Sequence, residues 1–319
     1  MENTIKNITV IGTGVIGKGW ITRFLSHGYH VVAHDIAEGA EEKLRKDLEA
    51  AWPGFIEKGI AQEGDLDRLT FETTLEEAVK DADFIQENAP EREDIKRSIL
   101  KDVDALTKKT AIISSSTSGY MPSTLQADCA NPERVIVSHP FNPVYLIPLV
   151  EVVGGEKTEQ AFVEQARDLF ESVDMKPLIV RKEIDGHIGD RLMEAIWREA
   201  LHIVNDGVAT TGEIDASIVY GPGLRWALMG PFLTLHLAGG EDGMRHMLHQ
   251  FGPALKLPWT KLEAPELTDK LATDVIEGCE AQTEGQDVAK LEERRDDFLV
   301  ELTELLEKYW PAANLNGRL

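Results

Sequence analysis

Short β-branched runs alternate with helical periods through the first half of the chain. Ile8–Ile11 reads as a strand, Gly14–His27 as a helix and His30–Asp35 as a second strand. Further apolar runs fall at Phe84–Ile85, Ala111–Ile113, Arg134–Val137, Leu149–Val153 and Leu178–Val180. Between them, Gly39–Lys58, Leu75–Lys80, Ile95–Leu106 and Gln160–Val173 carry apolar residues at helical spacing. Strands punctuated by helices predict an α/β fold with a doubly wound, mainly parallel sheet, because parallel neighbours need a crossover and the helix supplies it.

After about Lys182 the alternation stops. His187–Asn205 places Ile188, Leu192, Ile196, Ala200 and Ile203 on one helical stripe. Thr211–Val219, Pro231–Leu237, Asp242–Gln250 and Asp287–Tyr309 continue in the same way, and no strand pattern returns. The boundary is expected near Glu183–Gly186. It leaves an α/β domain at 1–183 and an all-helical C-terminal domain at 184–319.

A length of 319 residues suits two domains. Hydrophobic residues at 42% and charged residues at 28% describe a globular chain. The longest near-apolar stretch, Val144–Val153, is half the roughly 20 residues of a membrane span. The net charge of −23 repels phosphate backbones and argues against nucleic-acid partners. Cys129 and Cys279 have no CxxC or CxxH neighbour, so neither a metal site nor a disulfide framework is expected. Met1-Glu2-Asn3-Thr4 lacks a basic leader, which fits a cytoplasmic protein.

Gly12-Thr13-Gly14-Val15-Ile16-Gly17 is a GxGxxG that closes the first strand and opens the first helix. Gly12 permits the tight turn, Gly14 leaves room for a pyrophosphate, and Gly17 lets the helix pack on the sheet. The helix N-terminus offers free N–H groups to the anion. Asp35 ends the next strand, where a carboxylate accepts hydrogen bonds from an adenosine ribose and repels a 2′-phosphate. The pattern predicts a Rossmann-type domain that binds NAD rather than NADP.

A second informative stretch runs from Ser138-His139-Pro140-Phe141-Asn142-Pro143 to Leu149-Val150-Glu151-Val152-Val153. As hydride leaves a carbinol carbon, the hydroxyl proton must leave too, and an imidazole is suited to take it. A carboxylate on the far ring nitrogen would fix the tautomer. Standing alone, a histidine before proline is a structural loop residue as readily as a base. Its place at the carboxyl end of a strand favours the functional reading.

The chain here resembles the 3-hydroxyacyl-CoA dehydrogenases. The resemblance runs nearly end to end: the glycine turn, Phe84-Ile85-Gln86-Glu87-Asn88-Ala89-Pro90-Glu91 with Lys96, Ser116-Thr117-Ser118, His139…Asn142-Pro143…Glu151 and Met229-Gly230-Pro231-Phe232. It implies that His139 is a general base and Glu151 its orienting acid. It further implies that Ser118 and Asn142 hold the reacting oxygen, that Glu91, Lys96 and Ser116 line the cofactor cleft, and that the helical domain forms a homodimer.

Where the family has Pro-Gly-Phe-Ile-x-Asn-Arg, this chain has Asp185-Gly186-His187-Ile188-Gly189-Asp190-Arg191. A carboxylate in place of the asparagine disfavours an anionic thioester and favours a cationic substrate. With Gly221-Pro222-Gly223-Leu224-Arg225-Trp226-Ala227-Leu228 and the region up to Trp259, the chain most closely resembles the branch that oxidises L-carnitine, a small 3-hydroxy acid bearing a trimethylammonium group. Aromatic faces hold such a group through cation–π attraction, about 0.5–2 kcal/mol per ring. Phe141 is the first candidate. Trp226 and Phe251 are further ones, with core packing as the alternative for each. Ile188 and Gly189 are expected to shape the pocket floor. Asp190 serves the site or forms a salt bridge with Arg191 or Arg198. Another 3-hydroxy substrate, an acyl-CoA or L-gulonate, stays open, as does a non-catalytic role like that of the similar lens λ-crystallins.

Overall fold

The computed structural model describes residues 5–61, 64–227, 230–239, 241, 243–253, 257–261, 266, 268–271, 273 and 288–309. Of the residues singled out above, Met1, Glu2, Asn3, Thr4, Leu228, Met229, Asp242, Cys279, Asp287 and the side chain of Phe251 lie outside those described. The chain forms two compact units that divide between Asp190 and Arg191.

The first unit is an eight-stranded sheet. Its strands are β1 (Asn7–Ile11), β2 (His30–His34), β3 (Leu69–Glu72), β4 (Phe84–Glu87), β5 (Ile112–Ser115), β6 (Val135–Pro140), β7 (Leu149–Gly154) and β8 (Lys176–Val180). Their spatial order is β3-β2-β1-β4-β5-β6-β7-β8, with every pair parallel except β6–β7. The order reverses between β1 and β4, the place where a doubly wound sheet opens a crevice at its carboxyl edge. Helices α1 (Val15–Ser26), α2 (Ala40–Glu57), α3 (Leu75–Val79), α4 (Glu93–Leu106), α5 (Pro122–Leu125) and α6 (Gln160–Ser172) complete the unit.

Helices on both faces explain why the strands read as unbroken apolar runs. Successive side chains point to opposite faces, so Phe84, Ile112, Ile136, Val150 and Val152 join one core with Trp20, Phe24 and Phe170. Their neighbours Ile85, Ile113, Val135, Val137 and Val153 join a second core with Val79, Leu100 and Val103.

The structure adds to the sequence reading the short helices α5 and Pro222–Trp226, longer β4, β5 and β8, and three features of more consequence. β3 has no counterpart among the expected strands: Leu69-Thr70-Phe71-Glu72 is an edge strand with only Leu69 buried, so it needs little hydrophobicity. Helix α4 begins at Glu93 rather than Ile95, because Glu93 and Asp94 suit the positive end of a helix. β6 continues beyond Val137 through Ser138, His139 and Pro140, all buried and laddered against β7.

The described residues of the second unit form helices and no strand: α7 (Gly189–Asn205), α8 (Thr211–Val219), α9 (Pro222–Trp226), α10 (Pro231–Ala238), α11 (Gly243–Phe251) and α12 (Val288–Tyr309). The first two residues of α7 belong to the first unit. α8 starts where expected, because Thr210 and Glu213 form a reciprocal capping box. No described helix is long and apolar enough to cross a membrane.

Candidate active site

The glycine turn sits at the carboxyl end of β1. Gly12 has φ +83°, and a Cβ there would lie 2.7 Å from the Asn88 carbonyl oxygen. A Cβ on Gly17 would lie 1.8 Å from the Gly12 carbonyl oxygen, so helix α1 reaches its position only with glycine there. Gly14, the N-cap of α1, has no protein atom within 4 Å of the corresponding point and no side-chain cap. The first helical turn therefore has neither a side-chain cap nor an acid to satisfy its N–H groups, which leaves them available to an anion. Thr13, Val15 and Ile16 complete the turn, and Val15 is largely exposed beside the opening.

Asp35 follows β2 directly. Its Oδ2 accepts from the Thr13 N–H at 2.7 Å and the Thr13 hydroxyl at 2.8 Å, and its Oδ1 from the Ala37 N–H at 3.0 Å. Burial works to raise its pKa. The Thr13 and Ala37 amides, the Thr13 hydroxyl and nearby His34 outweigh it and hold the carboxyl below its ordinary range. A carboxylate offers about four acceptor sites, so one remains for a ribose hydroxyl. The turn and the acid fit NAD. They would hold its pyrophosphate and its adenosine ribose respectively.

At the ends of β4 and β5 the polar side chains bond to one another. The Lys96 ammonium is buried and donates to Glu87 Oε1 and Oε2 at 3.0 and 3.2 Å and to the Ala89 carbonyl at 3.1 Å, with Glu91 Oε2 at 3.4 Å. Those partners occupy its three protons. The Ser116 hydroxyl donates to Asn88 Oδ1 at 2.7 Å and accepts from Trp20 Nε1 and Gln86 Nε2 at 2.9 and 2.7 Å, which fills its capacity. Glu91 Oε1 accepts from the Thr117 hydroxyl and from the Ser118 and Gly119 amides. The carboxylate thus holds the turn that presents Ser118, whose residue is exposed.

Three strands along from β1, the β6–β7 register sets His139 opposite Glu151. Both side chains are buried, and His139 Nδ1 lies 3.0 Å from Glu151 Oε2. An ionised carboxylate only accepts, so Nδ1 carries the hydrogen and Nε2 presents its lone pair. The other oxygen of Glu151 accepts from the Ile188 and Gly189 amides at 2.9 and 3.0 Å. Burial alone would raise the Glu151 pKa. The His139 hydrogen bond and the Gly189 and Ile188 amides outweigh it and hold the carboxyl below its usual range.

Two further expected residues, Asp190 and Phe141, lie against the His139 ring. Asp190 Oδ2 lies 3.4 Å from His139 Nε2, while Arg198 pairs with Glu194. The Phe141 ring stands 5.0 Å from the imidazole, edge to face. A Cβ on Gly189 would fall 2.4 Å from Phe141 Cζ, so glycine there makes space for the ring. Ile188 is partly exposed beside them. Asn142 is exposed and precedes Pro143 through a cis peptide bond. Trp226 and Phe251 belong to the second unit, Trp226 ending α9 with part of its surface exposed and Phe251 ending α11.

Two groups escape the sequence reasoning. Glu87 is fully buried and carries Lys96; its signal is an acid closing an apolar strand. His187 is also fully buried, its ring 5.3 Å from that of His139. It stands where the family pattern has phenylalanine, and that departure is its signal.

An anion-binding turn opens one stretch of the sheet's carboxyl edge to a dinucleotide, and an oriented imidazole lies further along the same edge. A dinucleotide-type glycine turn and a carboxylate-oriented imidazole on one sheet edge are features of the class of NAD-dependent dehydrogenases. Residues 7–184 match the 3-hydroxyacyl-CoA dehydrogenase NAD binding domain and residues 186–277 the C-terminal domain of the same enzymes. The chain belongs to the 3-hydroxyacyl-CoA dehydrogenase family. It is 65% identical over 318 residues to the L-carnitine dehydrogenase of Bacillus cereus, covering 100% of this chain and 98% of that one. It is 58% identical over 307 residues to the L-carnitine dehydrogenase of Oceanobacillus iheyensis, covering 96% and 100%. Among solved structures, 5-formyl-3-hydroxy-2-methylpyridine 4-carboxylic acid 5-dehydrogenase, an NAD+ dependent dismutase, superposes with a TM-score of 0.81 at 31% identity, covering 95% of this chain and 99% of that one.

Proposed function

We propose that the protein oxidises L-carnitine to 3-dehydrocarnitine with NAD, using His139 as general base. The near full-length identity to enzymes named for that reaction supports the substrate. The structural observation that carries it is Asp190, whose carboxylate lies 3.4 Å from the imidazole where the family pattern has a neutral asparagine. A negative charge beside the base attracts a quaternary ammonium and repels an anionic acyl thioester. The Phe141 ring adds a cation–π face worth about 0.5–2 kcal/mol.

When bound, NAD would supply the acceptor for the carbinol hydride. His139 Nε2 takes the hydroxyl proton as the carbinol becomes a ketone, and the ring becomes an imidazolium. Nδ1–H stays on the Glu151 carboxylate, which stabilises that imidazolium and keeps Nε2 aimed at the substrate. Ser118 and Asn142 hold the reacting oxygen in this reading. Glu91, Lys96 and Ser116 act beneath the cleft, Glu91 by fixing the Ser118 turn and Lys96 by anchoring Glu91 and Glu87.

The same reading makes the protein a cytoplasmic homodimer joined through the helical unit. The exposed Leu192, Met193, Ile196 and Trp197 of α7 support a covered apolar face.

Two kinetic measurements test the cation site. Choline is expected to inhibit competitively against L-carnitine. Asp190→Asn should raise KM for L-carnitine by about tenfold, equal to roughly 1.4 kcal/mol, and weaken choline in parallel. An unchanged KM together with no choline inhibition would remove the cation site from the account.

A further inference from the structure

His187 has no part in the reaction described so far, and its surroundings are unusual for a packing residue. It is fully buried and adopts φ +48°, directly after Gly186 at φ +71°. Its Nε2 lies 3.1 Å from the Thr117 carbonyl oxygen. A carbonyl only accepts, so Nε2 carries a hydrogen. Nδ1 is buried without a hydrogen-bond partner. A second proton there would be an unpaired buried N–H on a charged ring, which is costly. The side chain is therefore a neutral imidazole with its hydrogen on Nε2.

Backbone contacts on either side of His187 join two parts of the site. The Gly186 N–H donates to the Gly119 carbonyl at 3.3 Å, and the Ile188 and Gly189 amides donate to Glu151. Thr117 and Gly119 belong to the turn that presents Ser118 and is held from its other side by Glu91. The His187–Thr117 hydrogen bond is the side-chain link between that turn and the residues that orient Glu151. The rings of His187 and His139 are 5.3 Å apart, tilted by 40°.

We propose that His187 is a positioning residue: as a neutral Nε2–H donor it ties the Ser118 turn to the His139–Glu151 pair and fixes their relative placement. The kinetic part rests on the reading of His139 as the base. Phenylalanine, the residue of the family pattern, fills the volume of an imidazole and offers no such donor.

The charged and titratable groups facing His187 are His139, Glu151 and Asp190, with the Thr117 carbonyl on Nε2. Burial lowers its pKa, the Thr117 hydrogen bond opposes that, a proton on His139 would lower it further, and Glu151 and Asp190 oppose. The folded value thus lies below the unfolded one of about 6.5. Between the two, the unfolded chain binds a proton that the folded chain does not. Stability from this group is complete above about pH 6.5 and is lost as the pH falls towards the folded value.

The test uses the full chain. Ring 15N NMR at pH 6 is expected to show His187 neutral, protonated at Nε2 and bare at Nδ1. His187→Phe should lower kcat by about 10–100-fold, the scale of a misplaced catalytic group, with NAD affinity by fluorescence titration unchanged. His187→Gln, which restores an N–H donor, should recover most of the loss. Both variants should lose less stability than wild type between pH 7 and pH 5.5.

A charged ring at pH 6, an Nδ1–H tautomer, wild-type kcat in His187→Phe, or a glutamine variant as impaired as phenylalanine would each overturn the proposal. If His187→Phe does not fold, the spectrum and His187→Gln decide it by the same criteria. A wild-type enzyme inactive on L-carnitine defeats the substrate reading instead, and the tautomer and the pH dependence of stability still judge His187.

Discussion

Replacing His139 with alanine is expected to lower turnover by roughly 10²–10⁴-fold, the usual scale of a lost general base, with NAD affinity unchanged. The imidazole is the group whose free nitrogen is presented by an orienting carboxylate: Glu151 holds Nδ1 at 3.0 Å and is itself held by two amides. The glycine turn is three strands away, so dinucleotide affinity is expected to be independent of the ring. Steady-state kcat and a fluorescence titration with NAD separate the two effects. Normal turnover in His139→Ala would remove the imidazole from the chemistry. Loss of NAD affinity to the same degree as kcat would make its role structural.

Gly17→Ala is the second large effect, and its cause is steric. The added carbon would lie 1.8 Å from the Gly12 carbonyl oxygen and 2.9 Å from its carbon, both backbone atoms with no rotamer to escape into. Helix α1 must then move off β1, and the glycine turn proposed to hold the pyrophosphate moves with it. Strain of about 1–3 kcal/mol or more is expected, lowering Tm by roughly 6–12 °C at its upper end, with NAD binding reduced at least 100-fold. Gly14→Ala is the matched comparison. Its Cβ meets no protein atom within 4 Å, so Tm should hold while NAD affinity falls, because the methyl enters the space left for the anion. Equal Tm for Gly17→Ala and wild type would contradict the packing described. Full NAD affinity in Gly14→Ala would place the pyrophosphate elsewhere.

Much of the fold is legible in the sequence because the physics acting on it is local. Val10, Ile85 and Ile113 sit in strands buried on both faces, so apolar runs announce them. Thr211–Val219 reads true to the residue because Thr210 and Glu213 write its capping box. β3 is illegible for the opposite reason: an edge strand with one buried residue carries almost no pattern.

At the site, His139 and Glu151 are readable as a pair only through family resemblance, since twelve positions separate them and the β6–β7 register brings them together. For Asp190 the sequence allows a salt bridge or a site role, and the geometry sets it against His139. Lys96 and Ser116 are expected at the cofactor cleft, yet neighbouring side chains and carbonyls take up their hydrogen-bonding capacity. Nothing in composition or spacing reveals how a buried polar group divides its bonds. The two units divide after Asp190, and the family profiles change between 184 and 186, both close to where the strand pattern gives out.

The most direct test of the account is NADH formation by the wild-type protein with L-carnitine, D-carnitine, L-gulonate and 3-hydroxybutyryl-CoA, each with NAD and with NADP. L-carnitine with NAD is expected to give the highest kcat/KM, and NADP to support little turnover because Asp35 repels its 2′-phosphate. A higher kcat/KM with the acyl-CoA or with L-gulonate, or no NADH from any of the four, would contradict it.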